Sequence, residues 1–247
     1  MKAWLQTSLG QALIETEAQA MEGWLRRAFG YHALLLGEPV FARCLADSPI
    51  KHTIWLHPEV AEVTFSKTAL SPLVANWHEM PLDADCIDMA FLAHIVEQEA
   101  GSADILREIH RILMPQGYLV LSTLNLYSLF GLMKPILRYS KGGIWRANWI
   151  RGGRLKDWLA LLGFNLIEVK TVFFKFPYGI GKPPDPKKVP TQRKERLCQI
   201  LFPYFGSSLL IFAQKVVRPL TPIKPKWKLL KEKGVEVDEG MEPTINA

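Results

Sequence analysis

The chain has 247 residues, 49% of them hydrophobic and 22% charged, which excludes a disordered polymer and suits one α/β domain with a large core. A net charge of +6 permits an anionic partner such as nucleic acid, a lipid head group or an acidic metabolite without requiring one. Cys44, Cys86 and Cys198 lie far apart with no CxxC pair, which excludes a disulfide framework and a cysteine-based metal site, so no metal is expected. No run approaches the roughly 18 to 20 apolar residues of a membrane span, and no apolar leader with a small-residue cleavage site opens the chain. The expectation is a soluble cytoplasmic protein with free thiols.

Residues Ser8 to Phe29 read as an amphipathic helix, with Leu9, Leu13, Met21, Trp24, Leu25 and Ala28 on one stripe, Glu15, Glu17, Glu22, Arg26 and Arg27 outside it, and Gly30 as its stop. A first strand is expected over His32 to Leu36, with Gly37 as the turn and Pro39 placed for the first turn of a helix. A second strand follows over His52 to Leu56. A third is expected at 60–65 or 63–68, with Pro72 marking a helix start or break near Ser71 to Val74. The loop after it holds Asn76 and Trp77, the latter either a core residue or a stacking surface.

Cys86 to Ala93 carries one charge, Asp88, among apolar residues on both faces, as in a parallel strand covered on both sides. Asp88 reads as a structural hydrogen-bond acceptor. A helix capped by Ser102 or Asp104 then places Ile105, Leu106, Ile109, Ile112 and Leu113 on one face and stops at Pro115 and Gly117. Tyr118 to Thr123 returns as another buried strand, which makes a right-handed crossover between parallel neighbours.

From 124 to 154 the sequence turns basic and aromatic, reading as an insertion that either binds an anion or a membrane-soluble substrate or is a solvated loop packed by its own aromatics. Arg154 to Leu162 reads as helix, Asn165 to Phe174 and Leu209 to Gln214 as strands forming an antiparallel edge. Residues 175–192 are dense in Pro, Gly and Lys and read as a loop, Arg193 to Phe202 as a helix, and 218–247 as a basic then acidic tail.

Three motifs carry a resemblance when taken in order. They are Asn76-Trp77-His78-Glu79-Met80-Pro81-Leu82, then Cys86-Ile87-Asp88-Met89-Ala90, then Arg107-Glu108-Ile109-His110-Arg111-Ile112-Leu113-Met114-Pro115-Gln116-Gly117. Over residues 30–214 the chain resembles class I S-adenosylmethionine-dependent methyltransferases of the small-molecule type. At Leu9-Gly10-Gln11, Phe29-Gly30-Tyr31-His32 and Leu220 to Trp227 it is similar to a bacterial group of methyltransferases of unknown substrate. The resemblance implies a doubly wound, mostly parallel seven-stranded α/β sheet with an antiparallel edge strand, and S-adenosylmethionine as cofactor. It implies a domain at 31–217, a leading helix at 1–30 and substrate-side loops at 124–154 and 175–192.

The family's glycine-rich turn is degenerate here. Gly37 keeps the first glycine, while Leu35, Pro39 and Phe41 stand at the acidic and later glycine positions. By resemblance, Gly37, Glu38, His57, Glu59, Asn76, Trp77 and Phe91 form the cofactor side: His57 or Glu59 stands toward the ribose, Asn76 toward the adenine amine. Substrate chemistry in this fold lies beyond the C-terminal ends of the strands, which selects Glu97, Asn125 and Tyr127, with His94 as the candidate base. The expected partner is a small or lipid-soluble methyl acceptor. The alternative is an inactive module of the same fold that binds a protein or RNA through its basic loop and tail. A nicotinamide-binding Rossmann protein is a third, weaker reading of LLLGEPV.

Overall fold

The computed structural model describes residues 2–59, 70–99, 101–140, 143–174, 202 and 204–216. Contacts divide the chain into residues 1–217 and 218–247, and all described residues fall in the first unit. The expected third strand at 60–68, the loop at 175–192, most of the helix at 193–202, Cys198 and the tail lie outside the described residues.

Seven strands form one sheet: β1 (His32–Leu36), β2 (His52–His57), β3 (Leu70–Val74), β4 (Ile87–Ala93), β5 (Leu113–Leu124), β6 (Phe164–Val172) and β7 (Ser208–Lys215), in the spatial order β3-β2-β1-β4-β5-β7-β6. β3, β2, β1, β4 and β5 pair in parallel, while β7 runs antiparallel to both β5 and β6. The expected antiparallel edge is therefore built by inserting the reversed strand between β5 and the edge strand β6. This is a Rossmann-like, mostly parallel α/β sheet, as expected.

The expected helix start or break at Ser71–Val74 is instead strand β3. Pro72 lacks an N–H, which excludes it from a central strand, but β3 is the sheet's edge, where a missing donor costs no ladder bond.

Helices α1 (Lys2–Leu5) and α2 (Ser8–Leu25) precede the sheet, α3 (Ser102–Ile112) makes the crossover from β4 to β5, and α4 (Leu129–Ser140) and α5 (Gly152–Leu161) lie between β5 and β6. Thr7 caps α2, its hydroxyl accepting the Gly10 N–H at 3.2 Å. Gly10 is required because a Cβ there would stand 2.4 Å from the Trp4 carbonyl oxygen. α2 stops at Leu25, four residues short of the expected end, and is fixed to the sheet by Trp24, which stacks on Phe212 at 5.5 Å and donates its indole N–H to Glu168 at 2.6 Å.

The segment expected as a loop at 124–154 contains α4 and a short 3-10 turn, Gly143–Arg146. Phe130 of α4 stacks on Trp145 and meets Phe173 edge-on, so the aromatics do pack together, but as a helical layer.

Two buried clusters cover the sheet's faces. One holds Trp24, Phe41, Phe91, Trp145 and Phe212; the other holds Trp77, Ile105, Ile109, Leu155 and Leu159. The apolar face predicted for α3 is buried as the spacing demands. Asp88 does act as an acceptor: its Oδ2 takes the N–H groups of Tyr31 at 2.8 Å and His32 at 2.9 Å. Of the thiols, Cys44 is buried, and burial pushes its pKa well up. Cys86 is only partly covered. No described helix is long and apolar enough to cross a membrane, and the described residues contain no group able to hold a metal ion.

Candidate active site

Three parallel neighbours, β1, β2 and β3, end on the same side of the sheet, and their C-terminal ends carry most of the residues expected to hold a cofactor. After β1, Gly37 has φ +130°, and a Cβ there would stand 2.6 Å from the Ala93 carbonyl oxygen of β4. Only glycine satisfies both demands. The Gly37 carbonyl accepts the Trp55 indole N–H at 2.8 Å, which fixes the turn to β2.

Glu38 follows at the start of the 3-10 helix Pro39–Leu45. Its carboxyl pKa is raised by burial, against the opposing pull of Lys2 and His57. Pro39 brings no N–H to the turn. Phe41 is wholly buried, edge-on to Phe91 at 6.3 Å and 5.4 Å from the His94 ring. Phe91 is itself fully buried in the same cluster.

At the end of β2, His57 is buried between Trp55 and Trp77, at ring distances of 5.4 and 5.9 Å. His57 Nδ1 lies 3.1 Å from both the N–H and the carbonyl oxygen of Glu59, and the Glu59 side chain stands exposed. Past β3, Asn76 is exposed and its Oδ1 accepts the His78 N–H at 3.0 Å. Trp77 is buried in the core with its indole N–H on the Leu56 carbonyl at 3.3 Å.

The Asn76–Leu82 loop is held from α3 by two residues that the sequence showed only as a motif. Arg111 donates to the carbonyls of Leu82 at 2.8 Å and Met80 at 3.0 Å. Glu108 accepts the Met80 N–H at 3.3 Å and pairs with Arg111 at 2.8 Å, and Arg111 in turn holds the Glu108 carboxyl below its ordinary pKa. The Arg-Glu-x-x-Arg spacing is thus a clamp on the loop next to the site.

The residues expected on the substrate side divide differently. His94 has a left-handed backbone, φ +56°, and is fully buried. Its Nδ1 lies 2.6 Å from Glu97 Oε1 and its Nε2 3.0 Å from Glu17 Oε1. Burial by itself would lower the His94 pKa, but the Glu17 and Glu97 carboxylates outweigh it and hold the imidazolium at about 10. Glu97 also accepts from the Thr123 hydroxyl at 2.8 Å and the Leu124 N–H at 3.1 Å, and the Ser208 hydroxyl donates to Glu17. Both ring nitrogens of His94 are therefore occupied and neither meets solvent. Asn125 is engaged too: its Nδ2 donates to the carbonyls of Tyr204 at 2.8 Å and Gly206 at 2.9 Å, and its Oδ1 accepts the Tyr127 N–H at 3.1 Å. Tyr127 itself is exposed.

Glu17 was expected on the solvent side of α2 and is completely buried. The helical period carried the signal: Glu17 is four residues from Leu13 and four from Met21, in the middle of the apolar stripe.

Part of the chain matches a known family, and the sheet is similar to solved structures. Residues 40–121 match the family described as Methyltransferase domain. Over 220 residues it is 24% identical to YafS, an uncharacterised protein of Escherichia coli, covering 88% of this chain and 82% of that one. In structure it is similar to a S-adenosylmethionine-dependent methyltransferase of Thermotoga maritima, with a TM-score of 0.62, 20% identity, and coverage of 87% of this chain and 94% of that one. It is also similar to the cyclase SpnF, with a TM-score of 0.53, 13% identity and 81% of each chain covered. The Thermotoga maritima protein is described as dependent on S-adenosylmethionine.

The residues present fit that group at its nucleoside end. Glu59 and Asn76 offer exposed oxygen acceptors of the kind that ribose hydroxyls and an adenine amine require. At the other end the fit rests on the Gly37–Glu38 turn alone, since Pro39 contributes no donor.

Proposed function

We propose that the protein is a S-adenosylmethionine-dependent methyltransferase acting on a small or lipid-soluble acceptor. The supporting observation is that the Gly37–Glu38 turn, Glu59 beside His57, and Asn76 stand at the same end of three adjacent parallel strands, the last two within the segment 40–121 that matches the methyltransferase family. In this reading the Gly37–Glu38 turn and Asn76 bracket the cofactor, with Glu59 toward the ribose. Bound there, the cofactor supplies a methyl group already activated on a sulfonium. The chain's task is to orient the acceptor and exclude water.

His94 takes a structural role in this proposal. An imidazolium locked between two carboxylates has no free nitrogen with which to remove a proton, so the reading favours acceptors whose nucleophile needs no base from this residue. Phe91 and Trp77 act through packing, and Glu97 and Asn125 by fixing the ends of the strands around the site.

Calorimetric titration of the purified protein with S-adenosylmethionine and with S-adenosylhomocysteine tests the proposal. Micromolar binding is expected, and Asn76→Ala should weaken it about tenfold, the loss of one good hydrogen bond, without changing thermal unfolding. Absence of binding to either compound by the folded protein overturns the reading. It would favour a second one, suggested by Pro39 and the buried Phe41: a non-catalytic module of this fold that binds a protein or RNA through its basic segments.

A further inference from the structure

Helix α4 begins where β5 ends, at the same end of the sheet as the candidate site, and it has two unlike faces. Its inner face is fixed. Phe130 is buried on Trp145, and Gly131 lies so close to the Leu126 carbonyl that a Cβ would overlap it at 1.9 Å. Its outer face carries Leu129, Leu132 and Ile136, which fall within an arc of about 60° at 100° per residue. Leu132 is 73% and Ile136 70% exposed, a large apolar area to leave in water.

A second exposed apolar group adjoins the start of this helix. Tyr127 is exposed, and Asn125 ties the backbone there to the turn that carries Phe202, Tyr204 and Phe205, all exposed. The sequence that contains the helix is basic. From 124 to 154 the sequence holds six Lys or Arg and no Asp or Glu, and Arg146, Arg151 and Arg154 are exposed.

We propose that the outer face of α4, with Tyr127 and the Phe202–Phe205 turn, docks on an anionic lipid surface. Leu129, Leu132 and Ile136 enter the boundary between head groups and acyl chains while the arginines meet lipid phosphate. Amphipathic helices bind interfaces in this way, by apolar burial added to attraction of basic residues for anionic lipid. An acidic protein would satisfy the charges, but the stripe calls for an apolar phase rimmed by anions, and a bilayer supplies both. Docking there would bring the candidate site to the membrane and restrict the acceptor to a lipid-soluble compound. That acceptor class rests on the methyltransferase reading, whereas the docking itself does not.

The test is flotation of the full-length protein with two kinds of vesicle: pure phosphatidylcholine, and phosphatidylcholine containing about 30% phosphatidylglycerol. Binding to the anionic vesicles should exceed that to the neutral ones by about tenfold or more and fall as salt is added. The double variant Leu132→Glu, Ile136→Glu should lose about tenfold or more of the binding while keeping the wild-type unfolding profile and cofactor titration. Should that variant fail to fold, Arg151→Gln with Arg154→Gln, both on exposed positions, should weaken only the anionic component. Failure of the wild type to float with anionic vesicles, or equal flotation of wild type and variants, overturns the proposal. So does tight binding of a single-stranded RNA that the glutamate substitutions leave unchanged. Vesicle binding by a protein that takes no cofactor would keep the docking surface and discard the methyltransferase reading.

Discussion

The ends of β2 and β4 stand on the same side of one sheet, yet their histidines and glutamates have opposite fates. Past β2, Glu59 is left in solvent and His57 meets only the backbone of Glu59 among its hydrogen-bond contacts at Nδ1. Past β4, His94 and Glu97 are fully buried with a second carboxylate, Glu17, brought in from the N-terminal helix. A titratable side chain at a strand end is a functional candidate only if one of its polar atoms remains unsatisfied by protein. At β4 the carboxylates have claimed the imidazole, and the residue that looks most catalytic in the sequence is the most thoroughly enclosed in the fold.

The largest effect that would break this contrast is on stability. Glu17→Ala removes one partner of a buried charge cluster and should cost about 3 to 5 kcal/mol, since the remaining ions cannot be rehydrated in place. Urea denaturation measures it, and a loss below about 1 kcal/mol would show that the cluster is not ionised as described.

A second consequence is pH dependence. The folded pKa of His94, about 10, lies above the ordinary value of 6.5, so the folded state holds a proton that the unfolded state releases. The contribution is fully present below about pH 6.5 and is lost as pH rises toward 10, on the order of a few kcal/mol across that window. Denaturation at pH 6.5 and 9.5 should show the decline, and His94→Gln should flatten it; a flat wild-type profile would contradict the charge state.

The smallest stability effect belongs to the open end. Glu59→Ala should change unfolding by less than about 0.5 kcal/mol, as exposed positions do. In the proposed function it should nevertheless weaken cofactor binding about tenfold. Opposite behaviour, a destabilised protein with unaltered binding, would reverse the assignment of the two ends.

The parallel sheet was legible in the sequence because buried strands and an amphipathic α3 have periods that survive any neighbour. The edge strand β3 was obscured by Pro72, whose effect depends on whether the strand is central or at the margin, a property of topology that no window contains. α4 was hidden by Gly131 and Pro135, which argue against helix locally. Gly131 is retained because the helix must approach the Leu126 carbonyl.

The backbone of the Gly37 turn and the order of the Asn76 loop were legible, because both are set by residues close in sequence. The structural state of His94 was not, because it is decided by Glu17, 77 residues away. The position of Glu17 within its own helix hinted at burial, yet only the assembled sheet supplies the charge that makes burial tolerable.

That same glutamate has a consequence for how the chain acquires its shape. Glu17 accepts from Ser208, 191 residues later, on a strand that itself needs β5 and β6. During synthesis α2 is made 191 residues ahead of Ser208, and its carboxylate lacks that partner until β7 exists. The Glu17–Ser208 contact is thus a long-range closure, of the kind that slows folding.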